Sequence, residues 1–105
     1  MIPLQVEEQL GEIAAAPSCI VFKHSLTCPI SKGAFEQFQA YMEEQQTIPA
    51  YYLYIQEVRP LSNQIAEQFG IRHESPQVLY LKDGKVVWSE SHWNITKKSL
   101  QEHIG

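Results

Sequence analysis

Hydrophobic and polar positions alternate along the chain in a way that predicts helices and strands in turn. Over residues 4–16, Leu4, Leu10 and Ile13 recur at roughly helical spacing, and glutamate and glutamine occupy the opposite face. Pro17 cannot continue a helix, so the first helix is predicted to end there.

Two short runs rich in β-branched and aromatic residues predict central strands, Cys19–His24 and Tyr51–Ile55. The first run leads through a loop, residues 25–31, into a second helix whose apolar stripe extends from Ala34 to Met42. The mostly apolar character of the first run is typical of a strand that is buried on both faces.

The second half of the chain is predicted to contain a helix, a hairpin and a last helix. The expected elements, in order, are Leu61–Phe69, Gln77–Lys82, Lys85–Glu90 and a last helix that Thr96 caps and that runs to about Ile104. Asp83-Gly84 is a strong signal for a tight hairpin, whereas strands joined through a helix must be parallel. The order α-β-α-β-α-β-β-α predicts a thioredoxin-like α/β fold. We expect a four-stranded mixed sheet flanked by helices, in one domain over residues 1–105.

Charge and composition exclude several classes of protein. Eight lysines and arginines stand against twelve aspartates and glutamates, a net charge of −4, and no basic patch is present to bind phosphates. The apolar runs are far shorter than the roughly 20 residues that span a bilayer, and the start lacks the pattern of a signal peptide. We therefore expect a soluble, cytoplasmic monomer that binds neither nucleic acid nor membrane.

The two cysteines, Cys19 and Cys28, have different expected roles. They do not form a CxxC pair, and the four histidines lack the spacing of a helical metal site, so no metal is expected. If residues 19–24 are extended they span about 16 Å, whereas a disulfide needs Cα atoms within about 7 Å. We assign Cys19 to core packing rather than to resolving a disulfide at Cys28.

Cys28 lies where a strand passes through a loop into a helix. Thr27 suits the cap position and Pro29 the first helical turn. The unpaired amides and the dipole at a helix N-terminus favour a thiolate, which is the nucleophile in disulfide exchange. Ser31 stands where dithiol enzymes carry a second cysteine. Its hydroxyl either donates a hydrogen bond to the Cys28 thiolate or has no role, and it cannot resolve a mixed disulfide.

Two further segments are expected to border Cys28. In a thioredoxin fold the Ser75-Pro76 bond is expected to be cis, which directs the Ser75 backbone toward the cysteine. After the fourth strand, Trp93 is predicted either to flank a bound thiol or to be half-buried packing. His92 either assists proton transfer or is a solvated loop residue.

Lys23 and His24 end the first predicted strand close to the site. Either residue favours the thiolate electrostatically, or both lie at a solvated strand end.

Thr27-Cys28-Pro29-Ile30-Ser31, together with Ser75-Pro76 and Ser91-His92-Trp93, resembles the monothiol bacilliredoxins, the YtxJ-like family of the bacillithiol system. The resemblance covers nearly the whole chain. It implies that Cys28 attacks S-bacillithiolated proteins and forms a mixed disulfide, which free bacillithiol or another redoxin then resolves. Bacillithiol is thus an expected co-substrate, and no bound cofactor is expected. The site implied has Cys28 and Ser31 as catalytic residues, with substrate contacts from Thr27, Pro29, Ile30, Ser75, Pro76, His92 and Trp93.

A second hypothesis belongs to another class. The chain would then be a non-catalytic thioredoxin-like binding module, regulated by S-thiolation of Cys28. Turnover distinguishes the two, because a module accepts one thiol equivalent and releases none.

Overall fold

The computed structural model describes residues 1–45 and 47–105. Five strands and four α-helices follow one another in this part of the chain: β1 Ile2–Pro3, α1 Gln9–Ala15, β2 Ser18–His24, α2 Pro29–Glu44, β3 Ala50–Tyr54, α3 Arg59–Gln68, β4 Gln77–Lys82, β5 Lys85–Ser91 and α4 Lys97–His103. A short 3-10 helix, His92–Asn94, lies between β5 and α4. No helix of the described residues is both long and apolar enough to span a bilayer.

The strands form one mixed sheet in the order β1-β3-β2-β4-β5. β3 pairs with β2 and β1 in parallel, β4 pairs with β2 antiparallel, and β5 closes the hairpin with β4. β2 is central and has two partners, which agrees with its nearly continuous apolar sequence. The α/β class, the element order from α1 onward and the hairpin are as the sequence predicts.

The expectation of four strands, with a first helix over residues 4–16, is wrong at the N-terminus. Residues 2 and 3 are extended and pair with β3, and the Leu4 amide donates to the Tyr52 carbonyl at 2.7 Å. The Gln9 side chain accepts from the amides of residues 5 and 6 and donates to the Pro3 carbonyl. These contacts hold residues 2–6 outside the helix, so α1 begins only at Gln9.

Helices cover both faces of the sheet, and each face has its own buried cluster. Toward α1 and α3 the strands present Cys19, Val21 and Leu79, which pack against Ile13 and Ile65. Toward α2 and α4 the strands present a second set, which packs with helix residues in a cluster that includes Ile20, Phe22, Val78, Phe38 and Leu100. The alternation along β2 follows from the period of two in a strand. It also places Lys23 and His24 on opposite faces.

The tip of the β4–β5 hairpin packs against the end of α1. The Asp83 amide donates to the Pro17 carbonyl at 3.1 Å. Gly84 has φ +76°, and a Cβ at this position would lie 2.8 Å from the Ala14 carbonyl oxygen. Gly70 shares the left-handed conformation, with φ +63°, but a Cβ there would have no neighbour within 4 Å.

These two glycines make a matched pair for measuring the close approach of the hairpin to α1. Gly70→Ala is expected to lower the free energy of unfolding by about 1 kcal/mol, because only the left-handed backbone is strained. Gly84→Ala adds a steric clash with backbone and is expected to cost about 2–4 kcal/mol. Urea denaturation of both variants measures the difference. Equal losses would contradict the packing of the hairpin on α1.

Candidate active site

Cys28, and not Thr27 as the sequence suggests, occupies the N-cap of α2, directly after the loop that leaves β2. Its backbone is extended, with φ −103° and ψ 119°, and Pro29 takes the first helical position. The Cys28 carbonyl accepts from the amides of Ser31 and Lys32, at 3.1 and 3.2 Å, which opens the helix. The thiol is free and partly exposed. The Ser31 and Lys32 amides are thus occupied by the Cys28 carbonyl, and Pro29 has no amide proton, so it is mainly the positive end of the α2 dipole that faces the region of the reachable sulfur.

Cys19 is the other free cysteine, and it is fully buried in the core between the sheet, α1 and α3. Its sulfur contacts the Ile13 carbonyl at 3.8 Å, and burial raises the pKa of the thiol to about 11. A buried, protonated thiol is a poor nucleophile. The assignment of Cys19 to core packing is therefore confirmed.

The Ser31 side chain is fully buried beneath the loop that precedes Cys28. Its hydroxyl accepts from the Ser25 amide at 2.8 Å and pairs with Nδ1 of His24 at 2.8 Å. Among the described residues, these contacts, rather than a bond to the Cys28 sulfur, occupy the hydroxyl. Ser31 thus joins α2 to the end of β2, and its catalytic role stays a prediction.

His24 is buried on the α2 face of the sheet, not solvated at a strand end. Its ring stacks on Phe35, with centroids 4.5 Å apart, and meets Tyr54 edge-on. Burial is the largest influence on the pKa of His24, and it lowers this pKa below its ordinary value. The imidazole is therefore neutral at pH 7 and acts as a packed hydrogen-bonding partner of Ser31.

The Ser75-Pro76 peptide bond is cis, as the sequence predicts for this fold. The Pro76 carbonyl accepts from the amide of His92 at 3.1 Å, so the segment before β4 and the 3-10 helix are tied together. Glu74 and Ser91 form a second hydrogen bond between the same two segments. The hydroxyl of Ser75 is buried and has no hydrogen-bond partner among the described residues.

A groove of about 310 Å³ runs from the start of α2 to the 3-10 helix. Residues from both walls line it: Pro29, Ile30, Gly33, Ala34, Gln37, His92, Trp93, Ile95 and Thr96. Trp93 is 75% exposed, far from the half-buried packing residue that was one expectation for it. His92 adopts the left-handed conformation, with φ +55°. Four residues of the predicted substrate-binding set, Pro29, Ile30, His92 and Trp93, thus meet at one groove.

Lys23 is fully buried on the other face of the sheet, so the expectation of a solvated strand end is wrong for it as well. Its ammonium donates to the Ser62 carbonyl at 3.0 Å and lies 3.2 Å from Nδ1 of His73. An ammonium can only donate, so Nδ1 accepts and His73 is neutral. Burial lowers the pKa of Lys23 to about 8. The pKa of His73 is lowered too, first by burial and then by the positive charges of Lys23 and Arg59.

Sequence reasoning missed Gln56, which follows β3. Its side chain contacts the three residues that precede Cys28, namely Ser25, Leu26 and Thr27. Neither hydrophobicity nor a motif marks this glutamine. The parallel register that pairs His24 with Tyr54 brings it to the cysteine loop. No group of three potential metal ligands occurs within residues 1–45 and 47–105.

The sheet order, the cis-proline and the single reachable cysteine at a helix N-terminus define a thioredoxin-like protein of the thiol–disulfide class. Comparison with known families identifies the particular group. The model of the family described as monothiol bacilliredoxin BrxC matches residues 2–100. The chain therefore belongs to the monothiol bacilliredoxin family.

Solved structures support the thioredoxin fold. A protein assigned as an oxidoreductase with a thioredoxin fold is 36% identical, with a TM-score of 0.89 over 99% of this chain and 93% of that one. Thioredoxin from Fasciola hepatica is similar in fold, with 17% identity, a TM-score of 0.76 and coverage of 99% and 96%. Thioredoxin from Malassezia sympodialis is also similar in fold, with 16% identity and a TM-score of 0.75 over 99% of this chain and 88% of that one. The family match and the 36% identical structure together place the chain, at a coarse level, among the redox enzymes of this fold.

Burial of the Lys23 ammonium predicts a pH dependence of stability. The folded pKa of about 8 lies below the roughly 10.4 of a free lysine, so between these values the unfolded chain binds more protons. Folding stability contributed by this group therefore rises as pH increases from 8 to above 10. Replacing Lys23 with Met is expected to raise the free energy of unfolding by about 2 kcal/mol at pH 7. This gain in the free energy of unfolding is expected to shrink as the pH rises from 8 to above 10.

Urea denaturation from pH 7 to 10.5 measures this difference between Lys23→Met and the parent chain. Lys85→Met is the matched control, because Lys85 is exposed on β5 and its replacement is expected to leave the curve unchanged. Parallel stability curves for the parent chain and Lys23→Met would contradict the account of a buried ammonium.

Proposed function

We propose that this chain removes bacillithiol from S-bacillithiolated proteins by disulfide exchange at Cys28. The thiolate of Cys28 attacks the bacillithiol sulfur of the protein mixed disulfide. The old S–S bond breaks, the substrate protein leaves as a thiolate that takes a proton from water, and a Cys28–bacillithiol disulfide forms. The observation that carries this proposal is the contrast between the two thiols, one partly exposed at the head of α2 and one fully buried.

The second step needs a thiol from outside the chain. Ser31 cannot form a disulfide, and Cys19 is both enclosed in the core and protonated. A free bacillithiol thiolate, or the thiol of another redoxin, attacks the bacillithiol sulfur and releases Cys28 as thiolate. Each exchange moves one disulfide from one pair of sulfurs to another, so no metal or bound cofactor takes part.

The groove that starts at Pro29 and Ile30, the two residues after Cys28, supports a low-molecular-weight thiol as the group that is carried. Its volume of about 310 Å³ is at the lower end of the range typical of small-molecule sites. A Cβ on Gly33 would meet only open space, so this helical glycine leaves the groove unfilled. The exposed indole of Trp93 offers a flat apolar face to a ligand held by its sulfur at Cys28.

The exchange reaction is tested by turnover of a protein carrying one S-bacillithiolated cysteine, with free bacillithiol as reductant. Cys28→Ala is expected to abolish release of the substrate thiol. Cys19→Ala is expected to retain it, since Cys19 only packs in the core. Mass spectrometry of the substrate protein measures the outcome over time. Loss of activity in Cys19→Ala alone would refute the assignment of Cys28. If each chain releases no more than one equivalent of substrate thiol, the protein is instead the non-catalytic binding module that is regulated by S-thiolation of Cys28.

The role of the groove is tested by replacing Trp93. Trp93→Ala is expected to raise the KM for the bacillithiolated substrate about tenfold, equivalent to ~1.4 kcal/mol of binding free energy. Trp93→Phe keeps an aromatic ring and is expected to restore most of the lost affinity. Thermal stability should hardly change, because the indole is largely exposed. Val87→Ala is the control, since Val87 is an exposed apolar residue of β5 that does not line the groove. A KM unchanged by Trp93→Ala would exclude this residue from the thiol site.

A further inference from the structure

We propose that Gln56 is a positioning residue for Cys28, a role that rests on the exchange reaction proposed above. Both the oxygen and the nitrogen of its side-chain amide form hydrogen bonds with the loop that carries the cysteine. Oε1 accepts from the Leu26 amide at 3.0 Å. Nε2 donates to the Ser25 hydroxyl at 2.9 Å and to the Thr27 hydroxyl at 3.3 Å. One side chain thus holds every residue between β2 and Cys28.

The topology explains why this residue can reach the loop. β2 and β3 are parallel neighbours, with His24 opposite Tyr54, and the Ile55 amide continues the pairing by donating to the His24 carbonyl at 2.9 Å. The two chains leave the sheet side by side, so the residue after Ile55 lies beside the residues after His24. The carboxyl ends of parallel strands are where sites in α/β sheets form.

Gln56 complements the contact made by Ser31. The Ser31 hydroxyl binds the Ser25 amide from within the protein, and Gln56 binds the same loop from the exposed side. Ordering an exposed glutamine costs side-chain entropy, which its three hydrogen bonds must offset. The result is a loop with a defined path into the first turn of α2, and hence a defined position for the sulfur.

Two substitutions separate geometry from charge. Gln56→Ala removes all three hydrogen bonds and exposes the Leu26 amide to water, with little effect on folding because the residue is exposed. Gln56→Glu keeps the acceptor for the Leu26 amide, and the hydroxyls of Ser25 and Thr27 can turn to donate to the carboxylate. It therefore preserves the loop contacts but adds a negative charge near the sulfur.

Alkylation of Cys28 by iodoacetamide, followed from pH 5 to 10 by intact mass, is the primary readout. It needs neither bacillithiol nor a protein substrate, so it is independent of the proposed reaction. At pH 7 Gln56→Ala is expected to slow alkylation about fivefold, because the sulfur is no longer held at the head of the helix. Gln56→Glu is expected to shift the midpoint of the pH profile upward, because its charge opposes the thiolate.

Hydrogen exchange of the Leu26 amide is the second readout. Exchange is expected to be faster in Gln56→Ala and close to that of the parent chain in Gln56→Glu. Gln68→Ala, at an exposed position near the end of α3, serves as the control and should match the parent in both measurements. An unchanged alkylation profile in Gln56→Ala would overturn the proposal, as would equal effects in Gln68→Ala. A failure of debacillithiolation with these alkylation effects intact would refute the proposed reaction and leave the positioning role standing.

Discussion

The passage from β2 into α2 fixes where the reachable sulfur lies. Pro29 lacks an amide proton and would clash inside a helix, so it is confined to the first turn. Its ring also disfavours a helical backbone at the preceding residue, and Cys28 is extended, so α2 begins directly after Cys28. On the strand side, β2 is buried on both faces, so a slip of one residue would exchange its two faces. With both ends fixed, the loop between them is short, and side-chain hydrogen bonds from Ser31 and Gln56 define its path.

Several locally unfavourable features gather near the carboxyl ends of the parallel strands. Lys23 is a buried ammonium, His92 has a left-handed backbone, and Trp93 exposes most of its indole. Each would be replaced if stability alone decided the sequence, and natural proteins usually keep such features at functional sites. His92 and Trp93 border the groove that starts at Pro29, the residue after Cys28. Lys23 contacts His73, in the segment that leads to the cis-proline, and so joins that segment to β2.

The sequence predicts features that depend on local chemistry. Cys28 at the helix start, the Thr96 cap and the Asp83-Gly84 hairpin follow from residue types and neighbours, and the structure contains all three. It does not predict contacts set by pairing distant segments. β1 has two residues and forms only through its pairing with β3, so no local pattern marks it, and the pattern that follows predicts a helix already from residue 4. The position of Ser31 after Cys28 does not reveal that its hydroxyl turns to His24 and Ser25.

The account depends on one sulfur at the head of α2 being the thiol that reacts. Exposure of the folded chain to oxidised bacillithiol and, separately, to oxidised glutathione, followed by intact mass and peptide mapping, tests this directly. We predict a single bacillithiol adduct, on Cys28, and little reaction with glutathione disulfide under the same conditions. An adduct on Cys19, or a folded chain in which Cys28 stays unmodified, would contradict the account.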